Sequence, residues 1–365
     1  MKPLHSRIDA LDGAARSTTI VTGRGSVTTP CFMPVGTRGA VKYLGAEDLE
    51  ALGAQIVLGN TYHLMLRPGA DLIAQFGGLN RFNTWSGHSL TDSGGFQIFS
   101  LSPKVDAEGV TFKSVYDGSS HRFTPETAVD VQEKIGADIQ MVLDVCSALP
   151  SAPDVIAKAH RTTLEWAERA RVVHRRDDQS LFGIVQGGLD TELRTASARH
   201  LAALEFDGYG IGGLSVGETR AEMLPALRAA LADLPTDRPR YLMGVGDPAS
   251  IVEAVGVGVD LFDCVLPTRL GRHGTALTST GKIQVKGAAY RTADRPIDPA
   301  CGCPVCRRYS LGYVNHLVRQ SEPTAARLLT IHNVAFLLDL VADLRASIVA
   351  GTFGDTAARV LAVWG

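Results

Sequence analysis

Eight short apolar runs, each closed by small, polar or acidic residues, recur along the chain and leave few folds open to it. They are residues 31–35 (CFMPV), 55–59 (QIVLG), 88–91 (HSLT), 139–143 (IQMVL), 181–185 (LFGIV), 208–211 (GYGI), 240–243 (RYLM) and 259–262 (VDLF). Helix-like stretches lie between most of them, among them 153–174, 191–204, 218–232 and 248–255. In the first of these, Val155, Ala159, Thr162/Thr163, Trp166 and Ala170 fall near helical spacing and present one packed face. Eight strands alternating with helices over most of a 365-residue chain predict an α/β protein, a closed (β/α)8 TIM barrel in which closure leaves no edge strand exposed. An open doubly wound sheet is the rival arrangement. Two stretches break the period: 76–118, rich in Gly, Ser and Asp, and 266–330, which contains a cysteine cluster. Residues 331–344 (IHNVAFLLDLVADL) then resume as a helix, taken as the last of the barrel. The expected organisation is one barrel domain over 1–365 with an inserted subdomain at 266–330.

Composition fits a folded α/β chain and argues against disorder: 45% hydrophobic, 20% charged, 38 Gly and 17 Pro. The first residues, MKPLHSRIDALDGAARS, contain no apolar targeting segment, and no stretch approaches 18 uncharged apolar residues, so no membrane role is expected. Six cysteines are too few for a disulfide framework, and their clustering points to a metal in a reducing, cytoplasmic compartment. Net charge is −2, but it is unevenly spread. Between Cys264 and His332 stand ten Lys/Arg against three acids, so that segment carries +7 and the rest −9. A polyanion would be steered to that one region.

Cys301-Gly-Cys303-Pro-Val-Cys306, with His332 further on, supplies three thiolates and an imidazole. That is a closed tetrahedral donor set, the kind that holds a structural Zn2+. Such an ion would brace the basic insertion against the final helix.

In a barrel of this type the chemistry gathers where the strands end. Asp92 follows the third strand, Asp144 the fourth, Gln186 the fifth and Gly212-Gly213 the sixth, while Asp263 ends the eighth. One aspartate after a strand is usually a turn or helix cap, and Asp247 in GVGDP is read as one. Three acids facing one bowl repel each other unless a hydrogen-bonding or cationic substrate joins them. Two carboxylates with different tasks are what glycosyl transfer requires, one attacking the anomeric carbon and one handling the proton. The basic segment makes a nucleotide within a nucleic acid, its base everted, the fitting substrate.

The motifs TDSGGFQIFS, FGIVQGG, GGLSVGE, GVDLFDCVLPTRLGRHG, CGCPVCRRYS and LLTIHN, in this order, resemble those of bacterial tRNA-guanine transglycosylases. The likeness covers nearly the whole chain. It implies exchange of the wobble guanine of tRNAs with a GUN anticodon for a 7-deazaguanine base, with preQ1 (7-aminomethyl-7-deazaguanine) favoured. By this resemblance Asp263 is the nucleophile and Asp92 the general acid/base. Asp144, Gln186 and the Gly213 N–H bind the purine edge, Phe96 stacks on the base, and Glu218 senses the aminomethyl group. Arg269 and Arg272 meet phosphates. Cys301, Cys303, Cys306 and His332 hold one structural Zn2+, and the enzyme works as a homodimer. One residue departs from the pattern: Val145 stands where a glutamate usually follows the recognition aspartate, which puts the choice of incoming base in doubt. The alternatives are a small-molecule glycosyl-bond enzyme on the same barrel, which would have no use for a basic insertion, and a non-catalytic RNA-binding relative, in which the strand-end acids would be expected to erode.

Overall fold

A computed structural model describes residues 4–101 and 103–365. Eight parallel strands close into a barrel: β1 (Cys31–Gly36), β2 (Ile56–Gly59), β3 (His88–Thr91), β4 (Ile139–Met141), β5 (Ser180–Val185), β6 (Gly208–Ile211), β7 (Arg240–Leu242) and β8 (Leu261–Cys264). Each pairs with its neighbours in chain order, and the ring shuts where Leu261 and Phe262 of β8 register with Cys31 and Phe32 of β1. All eight predicted runs are strands of this ring. Their legibility has a physical origin. Strands covered by helices outside and filled by side chains inside are buried on both faces, so they read as unbroken apolar runs. Every residue of β1, β2, β3 and β5 is buried.

The helices are stopped and started by identifiable residues. Asp247 caps the helix Pro248–Val255 by accepting from the Ser250 N–H, as its sequence position suggested. Asp190 does the same for Thr191–Ala203. The helix expected from residue 218 starts at Arg220, because Thr219 and Glu222 form a reciprocal capping box there.

Three features go beyond the sequence reading. An antiparallel sheet, Leu4–Asp12, Ala15–Thr22 and Gly25–Thr29, precedes the barrel and plugs its N-terminal end. It is anchored by Asp260, fully buried just before β8, which accepts from Arg16 Nε at 2.9 Å, from Thr18 and Thr29, and from the Arg240 backbone N–H. Second, the stretch 76–118 contains, besides the expected β3, part of a small antiparallel sheet, Lys104–Asp106, Gly109–Lys113 and Ser120–Phe123. Third, the helix expected to begin at residue 331 runs from Pro323 to Ala350, and another, Phe353–Trp364, follows it. Pro323 occupies the first turn, where its missing N–H costs nothing. This 28-residue helix has the length and composition of a membrane span, but 72% of its most apolar window is buried inside the protein, where it packs as a core helix.

Candidate active site

The C-terminal ends of the strands surround a cavity of about 450 Å3, within the range of small-ligand sites. Asp92, Asp144 and Asp263 all line it, together with Asn60, Phe96, Cys146, Gly213, Tyr241 and Arg269. The three acids that the sequence assigned to one bowl therefore share one, Asp92 and Asp144 buried and Asp263 half-buried.

Asp263 sits near the end of β8. Its Oδ1 accepts from the Tyr241 hydroxyl at 2.6 Å and from the Gly244 N–H at 2.7 Å. Both donors bind the same oxygen, so Oδ2 receives no protein donor among the described residues. Burial pushes the Asp263 carboxyl above its usual range, partly offset by these two hydrogen bonds. The result is an oriented carboxylate with one lone-pair-bearing oxygen left for chemistry.

Asp92 is held more completely. Its Oδ1 accepts from the backbone N–H groups of Thr61 (2.8 Å) and Gly94 (3.1 Å), and its Oδ2 from the side chains of Asn60 and Gln97. The Asp-Ser-Gly-Gly turn makes this possible, because Gly94 adopts a φ of 80° that a larger residue would resist. Burial nevertheless dominates the four hydrogen bonds and lifts the Asp92 pKa to about 6. A carboxyl so placed exchanges its proton near neutrality, as general acid/base work requires.

Asp144 lies past the end of β4. It accepts from the Ser93 hydroxyl at 3.1 Å and from Gln186 Nε2 at 2.7 Å, and burial again raises its pKa. Gln186 is thus tied to Asp144, but it is buried and is not among the residues that line the cavity. Gly213 has a φ of 64°, and a Cβ there would come within 2.3 Å of Gln186 Oε1. Only glycine lets that backbone come so close.

The remaining predicted residues separate. Phe96 is 61% exposed and lines the cavity, so it is not core filling. Arg269 lines the cavity just beyond the nucleophile candidate, whereas Arg272 lies outside the lining and donates to the Thr268 carbonyl. Glu218 is also outside the lining, and its carboxylate accepts from the Ser215 and Val216 N–H groups. Val145 is not a pocket residue either. It packs with Met65, Leu66 and Phe99 against a satellite core while its N–H donates to Thr163 Oγ1. Sequence reasoning passed over Tyr241, Asn60, Thr61 and Gln97. Asn60 directly follows β2, so the strand-end rule reaches it once neutral polar residues are admitted beside acids.

Cys301, Cys303, Cys306 and His332 come together as one cluster, every ligand atom within 4.8 Å of the others. His332 Nδ1 lies 3.3 Å from Cys306 Sγ and 3.6 Å from Cys303 Sγ. A tetrahedral Zn2+ with its usual bond lengths separates N and S ligands by roughly 3.5 Å, so the spacing fits. His332 Nε2 meets the Leu277 carbonyl at 2.7 Å, which places the ring proton on Nε2 and leaves the Nδ1 lone pair to a metal. Leu277 belongs to the hairpin Thr275–Thr278/Gly281–Gln284, and His332 to the helix Pro323–Ala350, so an ion here would join the insertion to the barrel's long helix. An ion there would take all four donors, and none of them lines the cavity, as suits a structural site. Cys303→Ser is expected to cut bound zinc from about one ion per chain to near zero and lower stability by about 4–5 kcal/mol, by metal analysis and denaturant unfolding. Full metal content in that variant would remove the cluster from the account.

The family model for queuine tRNA-ribosyltransferase matches residues 11–365. The chain is 50% identical over 346 residues to a queuine tRNA-ribosyltransferase of Moorella thermoacetica, covering 94% of this chain and 93% of the relative. It is 50% identical over 352 residues to the Nitratidesulfovibrio vulgaris protein of the same name (95% and 94% covered) and 46% over 361 residues to that of Oleidesulfovibrio alaskensis (98% and 96%).

Proposed function

The chain belongs to the queuine tRNA-ribosyltransferase family, a family of tRNA-modifying pentosyltransferases, and from that premise we propose that it replaces the wobble guanine of GUN-anticodon tRNAs with preQ1 through a covalent aspartyl–ribosyl intermediate. The observation that carries the reading is the pairing, in one cavity, of an oriented carboxylate with a free oxygen (Asp263) and a carboxyl that titrates near 6 (Asp92).

Asp263 Oδ2 attacks C1′ of the ribose as the C1′–N9 bond breaks, and the departing guanine takes the Asp92 proton. In the second half, the incoming base gives its N9 proton to Asp92, its nitrogen attacks C1′, and the Asp263 ester bond breaks. Two inversions restore the β configuration. One glycosyl bond replaces another, so the balance closes without ATP or a redox partner. Asp144 accepts from the N–H groups of the purine's amidine edge. Gln186 uses one amide hydrogen on Asp144 and has the second for the purine carbonyl, which the Gly213 N–H also meets. Phe96 stacks on the base from the rim, and Arg269 and Arg272 attract flanking phosphates.

Support for preQ1 comes from Glu218. It accepts from the Ser215 N–H, and because a trans peptide sets C=O opposite N–H, the Leu214 carbonyl is turned away from Glu218. A carbonyl presented by a cavity-lining residue accepts a hydrogen bond from an aminomethyl ammonium but has nothing to offer a nitrile. Val145, packed away from the pocket, does not weigh against this choice. Zn2+ on Cys301, Cys303, Cys306 and His332 serves as a brace and takes no part in the exchange. The reading also carries a homodimer holding one tRNA between its subunits. Its cytoplasmic setting is supported by the tRNA substrate and by thiols that need reducing conditions.

The test is mass spectrometry of tRNA nucleosides after incubation with GUN-anticodon tRNA and equimolar preQ1, preQ0 and queuine. The preQ1 nucleoside is expected to dominate. Dominance of another base would overturn the assigned substrate, and no incorporation of any base, labelled guanine included, would overturn the exchange reaction.

A further inference from the structure

Beneath the base pocket lies a positive charge with no carboxylate in contact among the described residues, Glu218 acting on it only from a distance. Arg194, in the helix Thr191–Ala203, is completely buried and forms no ion pair among the described residues. Its guanidinium donates instead to four backbone carbonyls: Nε to Gly188 at 2.8 Å, Nη1 to Val185 at 3.2 Å and Gly212 at 2.7 Å, and Nη2 to Gly213 at 3.1 Å. A buried cation with no carboxylate in contact is costly, and burial, only partly offset by the more distant Glu218, pushes the Arg194 pKa down to about 10. The chain places it there all the same, behind the two glycine loops that follow β5 and β6.

Two of those carbonyls belong to consecutive peptide units, Gly212–Gly213 and Gly213–Leu214. In a trans peptide the N–H points opposite to the C=O. With both oxygens drawn to the guanidinium, the Gly213 and Leu214 N–H groups face away from it. Gly213 and Leu214 line the cavity, Arg194 does not, and the Gly213 N–H is directed at the cavity-lining Cys146 sulfur. Neither N–H donates to a protein oxygen among the described residues. A charge-assisted hydrogen bond to the carbonyl of a peptide polarises that peptide and strengthens its N–H as a donor.

We propose that Arg194 is a specificity-determining positioning residue: its guanidinium fixes and polarises the Gly212–Gly213–Leu214 backbone so that these N–H groups select a base carrying a carbonyl oxygen over one lacking it. This rests on the base-exchange reading above and adds to it a cation that touches no substrate. A site built around a strengthened donor penalises a ligand without the acceptor, because the donor is then left buried and unpaired.

The experiment compares binding of guanine and of 2-aminopurine, which keeps the 2-amino group but lacks the carbonyl and, with it, the N1 proton; the lost N1–H contact with Asp144 is common to wild type and variants and cancels when their preferences are compared. It uses wild type, Arg194→Lys, which keeps the charge, and Arg194→Gln, which keeps a neutral donor. In Arg194→Gln the preference for guanine is expected to fall by about tenfold or more, with 2-aminopurine affinity changed by less than about threefold. Arg194→Lys is expected to recover most of the preference. An equal loss for both bases, or an unchanged preference in Arg194→Gln, would overturn the proposal. Should neither variant fold, infrared difference spectra of isotopically labelled guanine on the wild-type protein decide: the carbonyl stretch is expected to shift to lower frequency on binding, and an unshifted band overturns the idea. A wild-type protein that binds neither base would instead count against the base-exchange reading itself.

Discussion

Replacement of Asp263 by asparagine is expected to abolish the covalent tRNA–protein adduct and to lower base exchange by about 10^4-fold. Asparagine keeps the shape of the side chain. Its amide oxygen still accepts from the Tyr241 hydroxyl and the Gly244 N–H, so the two groups that orient position 263 remain satisfied. What changes is the other atom, where an amide nitrogen without a usable lone pair replaces the carboxylate oxygen that receives no protein donor. Loss of activity in this variant therefore reports nucleophilicity rather than collapse, and tRNA affinity should stay within about threefold of wild type, since phosphate contacts dominate it. The adduct is trapped by incubating protein, GUN-anticodon tRNA and 9-deazaguanine, then resolved on a denaturing gel. A band of wild-type intensity from Asp263→Asn would show that another residue attacks the ribose.

The strand-end acids were legible because two patterns coincide in the sequence. Apolar runs buried on both faces mark the strands, and a carboxylate straight after such a run is conspicuous. Asp92 and Asp263 stand out for that reason, and Asp247 was separable as a cap because Pro248 and Ser250 follow it. Neutral partners lack that contrast. Tyr241 sits inside β7, where an aromatic residue reads as core, and only the closed ring turns its hydroxyl onto Asp263 of the neighbouring strand. Arg194 is hidden in the opposite way. In TELRTASARH it looks like one more polar position on an exposed helix face, yet the helix is rotated so that this side chain runs inward beneath two loops. The N-terminal sheet was missed because its first strand alternates buried or half-buried with exposed residues and carries several charges, which resembles surface. The long helix was cut short for a different reason: the basic segment drew residues 323–330 into the insertion, although Glu322-Pro323 carries an ordinary helix-start signal.

Asp92 is expected to leave its mark on the pH dependence as well as on the rate. In the proposed reaction, formation of the adduct needs Asp92 protonated, since it supplies the proton that guanine takes away, and it needs Asp263 ionised. With the Asp92 pKa raised to about 6 by burial, the fraction able to donate falls tenfold for each pH unit above the midpoint. Bound tRNA phosphates add negative potential and move that midpoint upward, so the falling limb of single-turnover adduct formation should begin at or above about pH 6. The second half-reaction has the opposite sign, because the same carboxyl must be ionised to accept the N9 proton of the incoming base, and its rate should fall as pH drops through the same region. The surroundings suit both states. Four donors hold the ionised form, and Gln97 Oε1 is buried without a partner among the described residues, so a half-turn of that amide turns an acceptor toward a protonated Asp92. In Asp92→Asn the titrating group is gone: turnover should drop by about 10^2- to 10^4-fold, tRNA binding should persist, and both limbs should flatten. A variant that keeps the wild-type limb, or a wild-type limb centred below pH 5, would take the proton transfer away from Asp92.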